Sequence, residues 1–325
     1  MDMGPLDLAD ERHMISAYAV ETAATSAVRA GWIAPSAENR IAMWRANDGW
    51  SKDLIGMWDG ARLCGFAAGL HEEASATERW VLVWVAPEYQ RRGIGSSLVR
   101  AVEAASPAVT RRLIASAYSA TTHEIDVLTQ RFALPLGYAV ATTETVVELD
   151  LRSEGPFTPG EIAGYTIASF INGVPQEFQE QIGYLKGLVD SEAPSGALDW
   201  QDAPVTPAQY VREIENWTAR GATVVESIAV TQDGTVVAWT CLVVPAEPDR
   251  PAQIEGTIVL AEHRGKGLGK AVKQENLAQA ACTTPVATVR TSSDEKNEWM
   301  RRINSALGFL PVETEAIFHK GTAVA

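Results

Sequence analysis

The second half of the chain carries an apolar run, a glycine-rich turn and a helical pattern in direct succession. Ile254 and the run at 257–260 predict a buried strand. The turn at 264–269 is polar and contains three glycines, and the residues that follow place apolar side chains at helical spacing as far as Leu277. The pattern therefore predicts a strand that passes through a tight turn directly into a helix.

The first half repeats this layout. An apolar run at 81–85 is followed by the turn Gln90–Gly95 and by apolar residues at helical spacing through 98–105. Gln90 and Arg264, which begin the two turns, are 174 positions apart in a chain of 325 residues. A repeat of that length indicates two similar domains in tandem.

The elements around each turn can be predicted from period, caps and turn residues. The first half should contain helices over 6–29, 37–44, 95–105 and 124–133, a hairpin around Asp59–Gly60, a polar loop at 71–77 and strands at 80–85, 113–117 and 140–151, with nothing strand-like at 5–10. The second half should contain strands at 165–170, 223–230, 236–244, 255–260, 286–291 and up to 318, and helices at 175–189, 206–220, 267–281 and 295–307.

A segment rich in proline and glycine separates the halves. Residues 152–160 contain two prolines and two glycines among polar residues, which is typical of a linker. We therefore expect an N-terminal domain over 1–152 and a C-terminal domain over 156–325, each of a size that can bury its own core.

Composition narrows the class of function. The formal net charge is −14 and the pI about 4.9, which argues against a nucleic-acid partner. The longest apolar run falls short of a membrane span, and the acidic stretch at 1–7 lacks the basic segment of a signal peptide. Three dispersed cysteines and scattered histidines show no metal-ligand spacing. We expect a cytoplasmic protein without a metal.

The turn of the second half has the chemistry of a phosphate cradle. Glycines let the backbone approach a ligand, and the first turn of the next helix offers unpaired N–H groups and a favourable dipole. Arg264, Lys266 and Lys270 add positive charge. The spacing matches neither the G-x-G-x-x-G fingerprint nor the P-loop. An ordinary strand-to-helix turn with solvated lysines is the simpler alternative, and the second copy argues against it.

Both turns resemble motif A of the GNAT superfamily of acyltransferases, [RQ]-x-x-G-x-[GA]. Arg264, Gly267 and Gly269 fill its places in the second half, and Gln90, Gly93 and Gly95 do so in the first. The segment 289–309 is similar to the C-terminal domain of actinobacterial tandem GNAT proteins, the group that includes mycothiol synthase. The resemblance implies an α/β (α+β) fold of two tandem GNAT domains, each a mixed, mostly antiparallel twisted sheet flanked by helices, with an altered beginning in the first.

The resemblance also implies acetyl-CoA, or another acyl-CoA, as co-substrate. In the second half, the implied CoA-binding residues are Thr257, Val259, Arg264, Gly265, Lys266, Gly267, Leu268, Gly269, Lys270 and Asn297. In the first half, they are Val83, Val85, Gln90, Arg91, Arg92, Gly93, Gly95 and Ser96. Asn297 could equally be a residue of the N-terminal turn of its helix.

Catalytic residues are expected in the second half. Glu255 should share a strand face with Thr257 and Val259 by period two, and partial burial would suit it to accept the proton of an amine. The alternative is a solvated or arginine-paired carboxylate. The first half has Val81 at the matching place, which cannot transfer a proton. The tyrosine that protonates the leaving thiolate in many GNAT enzymes is replaced by Asn304, which can donate a hydrogen bond only.

The sequence thus predicts an N-acetyltransferase whose C-terminal domain transfers a small acyl group from CoA to an amine of a small molecule. Three alternatives stay open. They are a non-catalytic acyl-CoA-binding or regulatory protein, an acyltransferase that uses aminoacyl-tRNA, and a protein N-acetyltransferase. The acidic composition counts against the second of these.

Overall fold

The structure is a computed structural model that describes residues 1–120, 124–153, 157, 158 and 160–322. It divides into two compact units. Unit 1 consists of Met1–Thr143 with Glu313–Ala325, and unit 2 consists of Glu144–Val312. The following elements are numbered in chain order.

Twelve strands and eight α-helices are described. The elements of the first half are β1 (Asp2–Pro5), α1 (Glu11–Ser26), α2 (Ala37–Arg45), β2 (Trp50–Asp59), β3 (Arg62–Glu72), β4 (Ser75–Val85), α3 (Ile94–Ala104), β5 (Arg112–Ser119), α4 (Val127–Ala133) and β6 (Ala139–Asp150). Those of the second half are β7 (Tyr165–Ile171), α5 (Gln176–Glu192), α6 (Pro207–Thr218), β8 (Thr223–Thr231), β9 (Val236–Val244), β10 (Ala252–Val259), α7 (Leu268–Thr283), β11 (Thr288–Asp294), α8 (Glu298–Ala306) and β12 (Leu310–Gly321).

Each unit contains a mixed sheet in which antiparallel pairs dominate. The strands of unit 1 follow the order β1-β2-β3-β4-β5-β12, and only β4 and β5 are parallel. The strands of unit 2 follow the order β6-β11-β10-β9-β8-β7, and only β10 and β11 are parallel. This confirms the predicted fold class.

The compact units differ from the predicted segments in two strands. β12 comes last in the chain, yet from Thr314 onward it pairs with β5 of unit 1. From Glu144 onward, β6 pairs with β11 of unit 2. A hydrophobic pattern can identify a strand but does not show which strand it pairs with. The sequence analysis therefore assigned each of these two strands to the half of the chain in which it occurs. Of the predicted linker at 152–160, residues 154–156 and 159 lie outside the described residues.

Two local predictions for the first half were wrong. The short strand β1 occupies residues 2–5 and pairs with β2, although exposed residues and a proline gave it no strand pattern. The polar loop expected at 71–77 is mostly strand, because β3 continues to Glu72 and β4 begins at Ser75. Backbone pairing with a neighbouring strand decides both cases, and it does not require apolar side chains.

In unit 2 the sheet is covered by helices on both faces. Trp239 and Cys241 of β9 pack with residues of α5 and α6, whereas Leu242 of the same strand packs with Leu277 of α7 and Leu307 beyond α8. This alternation along one strand separates an α5/α6 face from an α7/α8 face. Cys64 and Cys241 are buried free thiols, and Cys282 is exposed. None of the helices described is both long and apolar enough to cross a membrane.

Gly183 and Gly187 of α5 let the backbone of the segment before α6 lie directly against the helix. The N–H of Val205 donates to the carbonyl of Gly183 at 3.0 Å, and that of Ala203 donates to Gly187 at 3.1 Å. A Cβ at position 183 would lie 1.8 Å from the carbonyl oxygen of Val205. This close approach fixes α6 beside α5.

Gly183→Ala is expected to destabilise the protein by about 2 kcal/mol, because α5 and the segment 203–205 must separate. Alanine favours a helix by up to ~1 kcal/mol over glycine, which offsets only part of the loss. Chemical denaturation measures the change. Tyr184→Ala, at an exposed position of α5, serves as control and should stay within about 0.5 kcal/mol of wild type. An unchanged midpoint for Gly183→Ala would contradict the packing described.

Candidate active site

The two glycine-rich turns adopt nearly the same backbone conformation. Gly267 has φ 82° and caps α7, and Gly93 has φ 81° and caps α3. The turn of unit 2 has a second glycine in the left-handed region, Gly265 at φ 76°, where the turn of unit 1 has Arg91 at φ 61°. A side chain at such an angle is strained, so unit 2 has the more relaxed version of the turn.

The space above the turn of unit 2 suits a bound anion. Cβ atoms built at Gly265 and Gly267 would meet no protein atom within 4 Å, whereas one at Gly269 would lie 3.3 Å from Ile303 of α8. The first two positions therefore border open space and the third packs against α8. The N–H groups of the first turn of α7 have no intrahelical acceptor and face a favourable dipole. The residues present fit a pyrophosphate group.

The first residue of each turn fastens it to the preceding strand. Arg264 donates from Nε to the carbonyl of Val259 at 2.9 Å and forms an ion pair with Glu192 at the end of α5. Gln90 donates to the carbonyl of Val85 at 3.0 Å in the same way. Arg264 and Gln90 were both predicted to bind CoA. In the structure, their side chains instead hydrogen-bond to the backbone at the end of the preceding strand.

Of the remaining residues of the unit 2 turn, the two lysines are exposed and the leucine is buried. Lys266 donates to the hydroxyl of Tyr165 at 2.7 Å, and this hydroxyl also lies 2.8 Å from Nδ1 of His263. Lys270 is exposed on the first turn of α7. Leu268 is buried with Val259 in the core, so its side chain is unavailable to a ligand and only its backbone could take part.

The turn of unit 1 has its own surface contacts. The guanidinium of Arg92 lies 5.3 Å from the ring centre of Tyr89. Ser96 is half-buried in the first turn of α3. Gly95, like its counterpart Gly269, approaches the fourth helix, because a Cβ there would lie 3.2 Å from Phe132 of α4.

A gap opens beside the central strand of each unit. The parallel pairing of β10 with β11 ends at Gln253, although β10 continues to Val259. The pairing of β4 with β5 ends at Trp80, although β4 continues to Val85. Thr257 and Val259 lie on the part of β10 that no longer pairs with β11. Val83 and Val85 lie on the corresponding part of β4, which no longer pairs with β5. Their backbone groups on that edge are open to an extended ligand.

Glu255 sits on a bulge of β10, whereas the matching residue of unit 1, Val81, is regularly paired. Ile254 pairs with Leu242 and Gly256 with Cys241, which leaves Glu255 as an extra residue of β10. β4 of unit 1 stays in continuous register with β3 from Trp80 to Val85. The bulge interrupts period two, because Ile254 packs on the α7/α8 face and Gly256 faces Trp239 on the other. The sequence analysis placed residues 255, 257 and 259 on one face of the strand by simple alternation. Because the bulge breaks the alternation at Glu255, that argument does not hold for this residue.

The surroundings of Glu255 raise the pKa of its carboxyl group. Its side chain remains accessible to solvent, yet the protein atoms around it desolvate the carboxylate. This desolvation raises its pKa to about 7, with Lys186 opposing the shift and Glu213 adding to it. Lys186 and Glu213 themselves form an ion pair at 2.9 Å. A carboxyl group with a pKa near 7 can accept a proton at neutral pH.

Behind the Lys186–Glu213 pair lies a buried polar network that the sequence analysis missed. Glu226 of β8 is fully buried and accepts hydrogen bonds from Tyr210 and, at 2.8 Å, from the indole of Trp239. Burial raises the pKa of Glu226. A carboxylate inside the apolar run of β8 was the signal available in the sequence.

The two asparagines expected at the site have different surroundings. Asn297 caps α8, since its side chain accepts from the N–H of Met300 at 3.1 Å. Asn304 is buried and accepts at Oδ1 from Nζ of Lys273 at 2.7 Å. Lys273 is also buried, and the sequence analysis passed over it. The available signal was a lysine one helical turn before Leu277 on an otherwise apolar face.

Unit 1 has aromatic side chains on the face that corresponds to α5 and α6. Trp84 of β4 stacks on Phe66 at 4.8 Å between ring centres, and the ring of Trp44 from α2 lies 6.2 Å from Trp84. Val81, at the place of Glu255, is buried in the core. This unit therefore offers the turn and the gap with Val81 in the place of the carboxylate.

Comparisons with known proteins agree with this geometry. Residues 51–138 match a model described as an acetyltransferase (GNAT) domain, and residues 185–302 match one described as the acetyltransferase (GNAT) family. Together the matches cover 206 of the 325 residues. No curated protein matches the chain.

Several solved structures share the fold over nearly the whole chain. A tandem GNAT protein from the clavulanic acid biosynthesis pathway, solved without acetyl-CoA, has a TM-score of 0.83 at 21% identity and covers 100% of this chain and 99% of its own. A GCN5-related N-acetyltransferase from Sphaerobacter thermophilus has a TM-score of 0.70 at 18% identity, with 98% and 95% covered. With a GNAT domain matched in each half of its sequence, this chain belongs to the GNAT superfamily of N-acetyltransferases, as a tandem two-domain member.

Proposed function

We propose that unit 2 transfers an acyl group, most simply acetyl, from acyl-CoA to an amine of a small molecule. The observation that carries the proposal is Glu255. It sits on a bulge of β10, next to the gap between β10 and β11 and ahead of the glycine-rich turn of α7. Among the described residues, unit 2 combines these features with a carboxylate whose pKa is about 7, and unit 1 has Val81 at the matching place.

Acyl-CoA would extend from the turn into the gap. The pyrophosphate would accept hydrogen bonds from the backbone around Gly265 to Lys270. The pantetheine arm would pair with the free backbone edge at Thr257 and Val259, as an added strand does. A backbone N–H near the bulge would then stabilise the oxyanion that develops on the thioester carbonyl.

The acceptor would approach from the α5/α6 face. Its amine nitrogen attacks the thioester carbon directly, while Glu255 accepts the proton that the nitrogen must lose. The C–S bond breaks and the sulfur leaves with the electron pair. The ion pair Lys186–Glu213 sets the charge around Glu255, and the hydrogen bonds of Tyr210 and Trp239 to Glu226 hold the side chains behind that ion pair in place.

Unit 1 would serve a different purpose. Its turn and gap suit CoA, but Val81 replaces the base, and Trp44, Phe66 and Trp84 occupy the corresponding acceptor face. We propose that it is non-catalytic and that the turn at Gln90–Ser96 binds CoA in a structural role.

The test is release of free CoA from acetyl-CoA in the presence of small primary amines, followed with a thiol-specific reagent. Exposed Cys282 would react with the reagent, so the assay uses Cys282→Ser. We expect release that depends on the amine, with formation of the N-acetyl product confirmed by mass spectrometry. A preference for peptides would favour the protein-acetyltransferase alternative. Binding of acetyl-CoA without transfer to any amine or peptide would contradict the proposal and favour a binding protein.

A further inference from the structure

The indole of Trp239 lies directly against the bulge that carries Glu255. On β9, Trp239 pairs with Ile258, and its ring reaches along the sheet to Gly256, the residue that follows Glu255. A Cβ built at Gly256 would lie 2.9 Å from Cζ3 of the indole, so one of the two would have to shift. The ring therefore occupies the space that any side chain at position 256 would need.

Hydrogen bonds hold this indole in its place. Its N–H donates to Oε1 of Glu226 at 2.8 Å, and the hydroxyl of Tyr210 donates to the other carboxylate oxygen. The same hydroxyl accepts the N–H of Val174 at 2.7 Å, so its own hydrogen is free to point to Glu226. Tyr210, Glu226 and Trp239 are each at most 1% exposed. The indole therefore cannot turn away from the bulge without leaving a buried donor and acceptor unpaired.

Lys186 connects this indole to the charge around the base. Its ammonium lies 5.0 Å from the ring centre of Trp239, on a face that attracts cations, and 2.9 Å from the carboxylate of Glu213. The titratable groups that act on Glu255 or on its neighbours come from α5, α6, β9 and β8, in that order Lys186, Glu213, Cys241 and Glu226. Burial raises the pKa of the Cys241 thiol and keeps it neutral. The ring of Trp239 thus contacts both the bulge and the lysine that acts on Glu255.

The repeat in the chain provides an internal comparison for this set of residues. The positions that hold Glu226, Trp239, Glu255 and Gly256 in unit 2 hold Leu54, Phe66, Val81 and Leu82 in unit 1. The match follows from strand register, because each residue faces the corresponding partner in its own sheet. All four residues of unit 1 are apolar, and Trp80–Val85 of β4 pairs with β3 in continuous register. The carboxylates, the indole, the glycine and the bulge therefore differ between the units as a set, as expected of parts that act together.

We propose that Trp239, held by Glu226, is a positioning residue for the general base: its indole fixes the bulge at Gly256 and thereby the direction of the Glu255 carboxylate. This rests on the proposed function of unit 2. Trp239 and Glu226 act through the bulge and do not touch substrate, because both are buried. The proton of the amine passes to Glu255, and no further step is added to the transfer.

Gly256→Ala tests the contact between the indole and the bulge. The added methyl group must displace the tethered indole or the strand, and we expect kcat to fall about 100-fold, the effect of a misplacement of about 1 Å. In the Trp239→Phe background the smaller ring leaves room, so the same substitution should lower kcat by no more than about threefold. Val189→Ala removes the other side chain near position 256, which lies 3.3 Å from the built Cβ, and should not restore the rate of Gly256→Ala.

A second pair of variants tests Glu226 without a change at the bulge. Glu226→Leu removes the acceptor of the indole N–H and should lower kcat by about tenfold, the effect of one lost hydrogen bond. Glu226→Gln keeps an oxygen for the indole, so kcat should stay within about threefold of wild type. Calorimetry should give acetyl-CoA affinities within about threefold of wild type in both, because the network acts on the base and not on uniform binding.

The pKa of Glu255 is a readout that a merely structural role would leave unchanged. Carbon-13 NMR of labelled glutamate measures it without any acceptor, and Glu255→Gln assigns the signal. Burial raises this pKa to about 7, and a carboxylate that is no longer held by the bulge is better solvated. We expect the pKa to fall by about one unit in Trp239→Phe and in Glu226→Leu, and the rising limb of the rate to move with it. Val224→Ala, a neutral cavity in the same apolar cluster, should lower the Tm and leave the pKa unchanged.

The outcomes distinguish this role from the proposed function. If the wild type acetylates no amine or peptide, the proposed function fails, and the NMR titration still decides whether Trp239 and Glu226 act on Glu255. If Gly256→Ala keeps the wild-type kcat, or loses as much in the Trp239→Phe background, the indole does not position the base. An unchanged pKa of Glu255 in Glu226→Leu would overturn the role of Glu226. If Gly256→Ala folds only in the Trp239→Phe background, stability reports the same contact, and if it folds in neither, the two Glu226 variants decide.

Discussion

Gly267→Glu is expected to lower the affinity of unit 2 for acetyl-CoA by at least about 100-fold, or roughly 2.7 kcal/mol. The new side chain would extend into the open space above the turn, where the pyrophosphate is proposed to lie. Its carboxylate would repel the phosphates at close range. Glutamate at φ 82° would also strain the turn. Calorimetric titration of acetyl-CoA measures the loss.

Two matched variants serve as controls. One distinguishes the effect of the added charge from that of backbone strain, and the other distinguishes binding at unit 2 from binding at unit 1. Gly267→Ala has the same backbone strain, but its methyl group meets no protein atom within 4 Å, so affinity should fall by no more than about tenfold. Gly93→Glu places the same carboxylate on the turn of unit 1 and should leave the unit 2 site unaffected. Loss of one of two sites in each glutamate variant would make unit 1 a working CoA site. Wild-type affinity in Gly267→Glu would remove the turn of unit 2 from the proposed site.

Glu255→Gln is expected to reduce kcat by about 10² to 10⁴, the usual contribution of a general base. Glutamine keeps the shape and the bulge of β10 but cannot accept the proton of the amine. In the wild type, Glu255 is active when deprotonated, so the rate should rise as pH increases through about 7 and level off above it. The rising limb should be absent in Glu255→Gln, in rates measured at saturating acetyl-CoA and across a range of pH.

Lys186→Met provides an independent control for that assignment. The positive charge of Lys186 lowers the pKa of Glu255, so its removal should move the rising limb to higher pH without abolishing turnover. A rising limb that stays near pH 7 in Glu255→Gln would assign the titration to another group. If Lys186→Met leaves the limb in place, the electrostatic coupling described for the pocket would be wrong.

Much of the candidate site could be predicted because its signals are local. The glycines at 265 and 267, which both have positive φ in the structure, stood out by spacing within a strand–turn–helix pattern, and the repeat at 90–95 supported their interpretation as one functional turn. Glu255 was selected as a candidate because it lies two residues before Thr257 on the predicted strand. Even there, the bulge that sets it apart was invisible, because a bulge is defined by pairing with β9.

The residues that the sequence analysis missed depend on contacts between distant segments. Glu226 and Tyr210 are 16 positions apart and join β8 to α6 in a buried hydrogen bond. Lys273 and Asn304 are 31 positions apart and join α7 to α8. A charged residue in an apolar pattern signals that something is unusual, but its partner is set by packing. Hence the contact between Lys273 and Asn304 could not be predicted.

By itself, the sequence determined the two-domain repeat, the type of nearly every element and the two glycine-rich turns, because side-chain period and backbone freedom are local properties. The tertiary structure alone decided which strands pair, placing β12 in unit 1 and most of β6 in unit 2. It also decided that unit 2 has a bulge at Glu255, whereas the matching stretch of β4 in unit 1, Trp80–Val85, pairs with β3 in continuous register. Pairing and burial are set by contacts between residues far apart in the chain, and no local pattern encodes the partner.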